Sequence, residues 1–196
     1  MPDIRKYFNI PKSTDDMLEG GVYIKSNLDP HNINIFTDGS AKNNGKTNVR
    51  GGIGIFIEDT NECISEKITG VITNNIAELK ACIKGINYII NRDAYKNQII
   101  NIYSDSEYVI KSITVWSKKW YKNEWKKYDK FKKKNIDISN KELIIELYTL
   151  YNKHNIIFIH TKSHRAKPIN ENTKEYKIWY GNYIADKLAV EASNSH

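Results

Sequence analysis

Short apolar runs and alternating apolar and polar residues predict five β-strands. Three of them follow one another early in the chain, and the other two are separated by helical patterns. The predicted strands cover residues 33–37, 51–57, 63–68, 99–103 and 156–160. The first is expected to end in a turn at Asp38-Gly39, because this residue pair is typical of turns.

A spacing of three to four residues between apolar positions predicts helices between and after these strands. The clearest helix covers residues 74–91, where Thr73 is placed to cap the first turn. The other predicted elements are a helix starting at residues 104–106, helices over residues 141–152 and 182–192, and a long polar loop over residues 162–181. The order βββαβα, a basic insertion, then αβα predicts an α/β protein with a mixed sheet flanked by helices.

Residues 1–32 lack any regular period and contain Pro2, Pro11 and Pro30, so we expect a flexible leader before a folded domain over residues 33–196. The chain has no apolar stretch suited to a secretory signal or a membrane span. Its two cysteines, Cys63 and Cys82, lack metal-ligand spacing. We therefore expect a protein of a reducing compartment, the cytoplasm or nucleus, without membrane attachment.

Positive charge is concentrated in one segment, residues 111–134, which we call the basic arm. It holds ten lysines and two acidic residues, which is a net charge of +8, whereas the net charge of the whole chain is +7. Aromatic residues alternate with these lysines, and Trp116 and Trp120 are four positions apart, so a helix would place both rings on one face. Rings beside ammonium groups are typical of nucleic-acid binding; a solvated helix with inward-packed tryptophans is the alternative.

Four acidic residues stand at positions suited to a site in an α/β protein. Asp38 and Asp105 follow predicted strands, Glu78 lies in the first turns of a helix, and Asp186 lies in the last helix. Each alone has an ordinary explanation as a turn residue, a helix cap or a solvated acid. Their surroundings are more specific: they are Thr-Asp-Gly-Ser (37–40), Asn-Asn-Ile-Ala-Glu-Leu (74–79), Tyr-Ser-Asp-Ser (103–106) and Gly-Asn-Tyr-Ile-Ala-Asp-Lys-Leu-Ala (181–189).

These four blocks, in this order and spacing, resemble type 1 ribonuclease H over residues 33–193. The resemblance implies a ribonuclease H-like fold with a central mixed five-stranded sheet. It implies that Asp38, Glu78, Asp105 and Asp186 form a catalytic, metal-binding cluster. It places the family's flexible-loop histidine at His164, with a role in proton transfer or product release, and the family's hybrid-holding handle in the basic arm.

The chemistry expected of such a cluster agrees with the resemblance. Neighbouring carboxylates repel one another unless cations neutralise them, and Mg²⁺ or Mn²⁺ prefer oxygen ligands. Two such ions about 4 Å apart can activate water and stabilise the leaving oxygen of a phosphodiester. We therefore expect phosphodiester hydrolysis with 5′-phosphate and 3′-hydroxyl products and two Mg²⁺ ions as cofactors. The resemblance implies that the substrate is the RNA strand of RNA/DNA hybrids, cut endonucleolytically.

The resemblance also assigns residues to each strand of the hybrid. It implies 2′-hydroxyl contacts from Asn44, Asn74 and Asn75, and DNA-strand contacts from Thr73, Asn140, Trp116 and Trp120. The sequence departs from the family in four places. Asn75 replaces a common glutamine, no arginine directly precedes Thr73, Tyr183 replaces an acidic residue common in the last motif, and the 22-residue interval from His164 to Asp186 is long.

The leader contains Ile4, Tyr7 and Phe8, which resemble the short motif that replication proteins insert into sliding clamps. Two other functions remain open for the domain: a catalytically silent hybrid-binding module, and a nuclease of the same fold such as a resolvase or integrase. A monomer is the expected state. The abundance of isoleucine, lysine and asparagine is typical of an AT-rich genome, such as that of a large DNA virus.

Overall fold

The computed structural model describes residues 32–42, 49–95, 98–163 and 165–195, together with the backbone of residues 17–18 and 22–23. The strands are β1 Met17–Leu18, β2 Val22–Tyr23, β3 Asn32–Lys42, β4 Arg50–Ile57, β5 Glu62–Ile68, β6 Ile99–Ser104, β7 Lys126–Asp129, β8 Lys134–Asp137 and β9 Ile156–His160. The α-helices are α1 Asn74–Ile90, α2 Glu107–Lys111, α3 Ser117–Lys122, α4 Lys141–Lys153 and α5 Lys174–Asn194. Within the leader, β1 and β2 form a short antiparallel pair.

Five strands form the central sheet in the order β5-β4-β3-β6-β9. The first three strands pair antiparallel, whereas β3–β6 and β6–β9 pair parallel. The predicted mixed five-stranded sheet is therefore confirmed. The parallel register matters most for function, because it brings the middle of β3, at Asp38, beside the carboxyl end of β6.

The first strand is longer than predicted. The expected turn at Asp38-Gly39 is wrong, since β3 continues to Lys42 and pairs with β4 as far as Lys42 opposite Arg50. Cross-strand hydrogen bonding outweighs the local turn preference of this residue pair. As a consequence, Asp38 is held within a paired strand rather than in a loop.

The closing helix begins eight residues before its predicted start. Residues 174–181 belong to α5 and not to the polar loop, because Thr173 caps the helix by accepting a hydrogen bond from the amide of Tyr176 at 3.2 Å. The predicted polar loop is thus shortened to residues 162–173.

Helices cover both faces of the sheet. On one face, α1 and α4 bury residues such as Leu79, Ile86 and Leu147 against isoleucines of β3, β4 and β6. On the other face, Phe36, Phe56 and Tyr103 form a smaller cluster with Ala185 of α5. None of the helices that the structure describes combines the length and the apolar character needed to cross a bilayer.

The basic arm has its own regular structure. A π-helical turn, Ser112–Trp116, joins α2 to α3, and β7 and β8 then form an antiparallel pair. Trp120 and Trp125 pack against the main core, so part of the inward-packing alternative is correct. Phe131 at the end of the arm is 99% exposed, which leaves an accessible ring among the lysines.

Candidate active site

Two of the predicted carboxylates are neighbours because of the sheet register. Phe36 of β3 lies beside Tyr103 of β6 in a parallel pair. Asp38 and Asp105 each follow two residues later, so they lie beside each other. Asp38 is 9% exposed and Asp105 is half-buried. The crevice at the carboxyl end of β6 is therefore acidic.

Glu78 reaches this crevice from α1. Thr73 caps that helix by accepting a hydrogen bond from the amide of Ile76 at 3.2 Å. The helix approaches β3 at Gly39, where an added Cβ would overlap the backbone nitrogen of Glu78. The absence of a side chain at this position thus allows Glu78 to lie beside Asp38.

Asp186 enters from the opposite side, on α5. This helix lies against β4 at Gly54, where a Cβ would overlap the carbonyl oxygen of Ala185. Asp186 lines the same cleft as the other three acids, but it is exposed. The tight cluster consists of Asp38, Glu78 and Asp105, whose carboxylate oxygens lie within 4.8 Å of one another.

The electrostatics of the cluster oppose ionisation of all its members. Burial, followed by the charges of Asp105 and Asp186, raises the pKa of Asp38 from 3.8 to about 7. Burial, followed by the charges of Asp38 and Asp105, raises the pKa of Glu78 well above its usual value. The protein fold therefore holds these groups together at a cost in stability near neutral pH.

A divalent cation fits this donor set. Glu78 is 9% exposed, and its Oε2 atom is buried without a hydrogen-bond partner in the described structure. A buried oxygen without a donor, next to two further carboxylates, suits a hard cation with oxygen ligands. Mg²⁺ and Mn²⁺ both accept such ligands.

Other polar groups line the cleft around the carboxylates. Asn74 lies there, and its Oδ1 accepts a hydrogen bond from the amide of Ala41 at 3.0 Å. Asn75, the next residue, is exposed and does not line the cleft. Sequence reasoning missed Thr161 and Asn182, which form a 2.7 Å hydrogen bond in the cleft wall. Asn182 could have been identified from the sequence, because it stands one helical turn before Asp186.

The structure brings together three residues that were assigned to the DNA strand. Tyr108 links them: its hydroxyl accepts a hydrogen bond from Asn140 Nδ2 at 3.0 Å, and its ring lies 6.3 Å from that of Trp116. Trp116 contacts Trp120, with ring centroids 5.5 Å apart. Tyr108 was missed because its sequence position, inside a short helix, is unremarkable.

Several predicted site residues lie outside the described residues. They are His164, Asn44 and the leader residues Ile4, Tyr7 and Phe8. Their assignments stay predictions from the sequence.

Comparisons with known proteins identify the family. The family model described as RNase H matches residues 30–194. The chain is 33% identical over 160 residues to ribonuclease H of Rickettsia typhi, covering 80% of this chain and 88% of that protein. It is 36% identical over 162 residues to ribonuclease H of Clostridium botulinum, covering 81% and 93%.

The fold is also similar to that of LC11-RNase H1, solved in complex with an RNA/DNA hybrid. That similarity has a TM-score of 0.54 at 22% identity and covers 83% of this chain and 96% of the other. The family match, spanning most of the sequence, and the identities with two bacterial enzymes show that this chain belongs to the ribonuclease H family.

Proposed function

We propose that this protein is a type 1 ribonuclease H that cuts the RNA strand of RNA/DNA hybrids internally, leaving 5′-phosphate and 3′-hydroxyl ends. One observation carries the proposal: Asp38, Glu78 and Asp105 place carboxylate oxygens within 4.8 Å of one another in an open cleft of a ribonuclease H-family chain. A module that only binds hybrids has no need for such a costly acidic cluster.

The same residues would hold the cofactor. Asp38, Glu78 and Asp105, with Asp186 across the cleft, would bind two divalent cations, Mg²⁺ or Mn²⁺. Bound there, such ions activate water and stabilise the leaving 3′ oxygen. The carboxylates act by holding these cations, because their own negative charges would repel the scissile phosphate. His164 is assigned the movement of a proton or the release of product.

Recognition of the RNA strand depends on donors at the edge of the cleft. Because Asn74 Oδ1 already accepts from the amide of Ala41, its Nδ2 is directed to a different acceptor. A ribose 2′-hydroxyl is such an acceptor, and it distinguishes RNA from DNA. Asn44 and Asn75 are assigned the neighbouring 2′-hydroxyl contacts.

We assign the DNA strand to the side of the protein that carries the basic arm. Trp116 and Asn140 each contact Tyr108, and Trp120 contacts Trp116; together they offer flat rings and an amide to a sugar-phosphate backbone. Thr73 is assigned a phosphate contact in addition to its capping role. The lysines of the arm add a sequence-independent attraction to both strands.

A cleavage assay tests this function. End-labelled RNA/DNA hybrid, single-stranded RNA, duplex DNA and a DNA junction are each incubated with wild type, Asp105→Asn or Asp93→Asn in Mg²⁺, Mn²⁺ or EDTA. Asp93 lies in an exposed turn and supplies the matched control. We expect metal-dependent cutting of the hybrid RNA alone, lost in Asp105→Asn and kept in Asp93→Asn. Hybrid binding without cutting would favour the silent module, and junction cutting would favour a resolvase.

Further parts of the proposal concern partners and origin. We propose that Ile4, Tyr7 and Phe8 bind a sliding clamp, which a clamp pull-down with Tyr7→Ala/Phe8→Ala tests. The protein is proposed to act as a monomer in a reducing compartment, in keeping with its free Cys63 and Cys82. Light scattering tests the first point. The base composition of the gene tests the AT-rich origin.

A further inference from the structure

Four aromatic side chains lie in sequence along the first turns of α5, and their rings contact one another. Tyr176 stacks on Tyr180 with ring centroids 6.0 Å apart, and Trp179 stacks on Tyr183 at 5.3 Å with planes inclined by 9°. Tyr180 also meets the buried ring of Phe56 edge-on at 5.9 Å. Tyr180 thus packs against the sheet, whereas Trp179 and Tyr183 line the cleft. We call these two residues the ring pair.

The ring pair lies at the candidate active site. Trp179 and Tyr183 line the same cleft as the carboxylates, and Asp186 follows three residues after Tyr183 on the same helical face. Tyr183 is 47% exposed. Neither ring belongs to the cluster of residues packed between α5 and the sheet. Core packing therefore does not account for the two rings.

Three basic side chains border the ring pair, on a cleft that the carboxylates also line; one of the three, Lys167, pairs with Glu171 at 2.7 Å. Lys162 and Arg165 line the cleft beside it, and among the residues that the structure describes neither forms an ion pair. Lys167 lies 6.0 Å above the ring of Trp179. The indole is fixed in place because its Nε1 donates a hydrogen bond to the carbonyl oxygen of Arg165 at 3.1 Å. Flat, accessible rings bordered by cations suit a nucleotide, whose base stacks and whose phosphate pairs with the cations.

The arrangement favours a nucleotide outside the duplex. Within a hybrid, neighbouring pairs cover both faces of every base except at the two terminal pairs, so a protein ring stacks most readily on a base that is unpaired. The RNA strand is the nearer source, because the proposed function places its scissile phosphate at the carboxylates, and the DNA strand on the side of the basic arm. We propose that Trp179 and Tyr183 bind an unpaired nucleotide of the RNA strand where that strand leaves the hybrid. This inference rests on the proposed function.

Equilibrium binding tests the inference without requiring cleavage. Fluorescence anisotropy in EDTA gives the Kd of wild type for three kinds of hybrid: blunt, with an unpaired RNA extension at the 5′ or at the 3′ end, and with an unpaired DNA extension. We expect one RNA extension to tighten binding about tenfold over the blunt hybrid, which is the effect of one stacked base. Trp179→Leu/Tyr183→Leu should remove this preference, and Trp179→Phe/Tyr183→Phe should restore most of it.

Tyr176→Leu is the matched control, since Tyr176 belongs to the same ring row but does not line the cleft. It should keep the wild-type preference. Equal affinity of wild type for all three hybrids would overturn the inference, and this result does not depend on any variant folding. A preference for the DNA extension, or one that survives loss of both rings, would also overturn it. Absence of cutting in Mg²⁺ alongside an intact preference would instead count against the proposed function.

Discussion

Replacing Asp38 by asparagine should stabilise the metal-free protein while abolishing its activity. Burial and two neighbouring charges raise the pKa of Asp38 from 3.8 to about 7. A difference of this size between the folded and unfolded protein corresponds to about 4 kcal/mol of destabilisation at pH 8. Asparagine keeps the shape of the side chain, removes the charge, and can donate a hydrogen bond to Glu78.

The effect should depend on pH in a defined direction. Because the folded pKa of Asp38 lies above the unfolded value, the folded protein binds more protons than the unfolded chain between about pH 4 and pH 7. Wild-type stability therefore falls as the pH rises through this window, and the variant lacks this loss. We expect Asp38→Asn to gain about 2 kcal/mol at pH 5 and up to about 4 kcal/mol at pH 8.

Thermal unfolding in EDTA at pH 5 and pH 8 measures this gain. For a domain of this size, about 4 kcal/mol corresponds to an increase in Tm of about 10 °C. Mg²⁺ should stabilise wild type more than Asp38→Asn, because the variant has lost one ligand. Asp93→Asn, at an exposed turn, is the control and should stay within about 0.5 kcal/mol. An Asp38→Asn Tm at or below that of wild type at pH 8 would refute the reasoning.

Three further predictions address other parts of the molecule. Gly54→Ala should destabilise the fold by about 3 kcal/mol in urea unfolding, because its Cβ would displace α5 at Ala185; an unchanged midpoint would contradict this packing. Asn74→Ala should raise KM for the hybrid with little change in kcat in steady-state assays, and an unaltered KM would exclude a 2′-hydroxyl contact. Lys127→Gln/Lys130→Gln should lower the slope of log Kd against log salt by about 2, since two exposed cations are lost; an unchanged slope would place the substrate away from these two lysines of the arm.

The sheet could be predicted from the sequence because its strands are short, apolar and bounded by polar turns. The strand over residues 156–160 was predicted with its observed bounds. The extension of β3 through Asp38 could not be predicted, because it depends on pairing with β4 rather than on local preference. Thr173 could not be recognised as a helix cap, because it stands among lysines and asparagines, which do not indicate the start of a helix.

Part of the candidate site could likewise be predicted from the sequence, and part could not. The four carboxylates could be found from motifs, since each stands beside a distinctive local sequence. The 4.8 Å grouping of three of them, with Asp186 exposed beside it, depends on sheet register and on the approach of α1 at Gly39. The stacking of Trp179 on Tyr183 could not be predicted, because the predicted boundary at residue 182 places Trp179 in a loop and only Tyr183 in the helix.

The most direct test of the central claim is analysis of the RNA ends produced from a uniform RNA/DNA hybrid. Wild-type protein is incubated with the hybrid in Mg²⁺ and in EDTA, and the products are characterised for 5′ and 3′ groups. A carboxylate-held metal centre predicts internal cuts in the RNA alone, only with Mg²⁺, with 5′-phosphate and 3′-hydroxyl ends. Cutting in EDTA, or products ending in cyclic phosphate, would contradict the account.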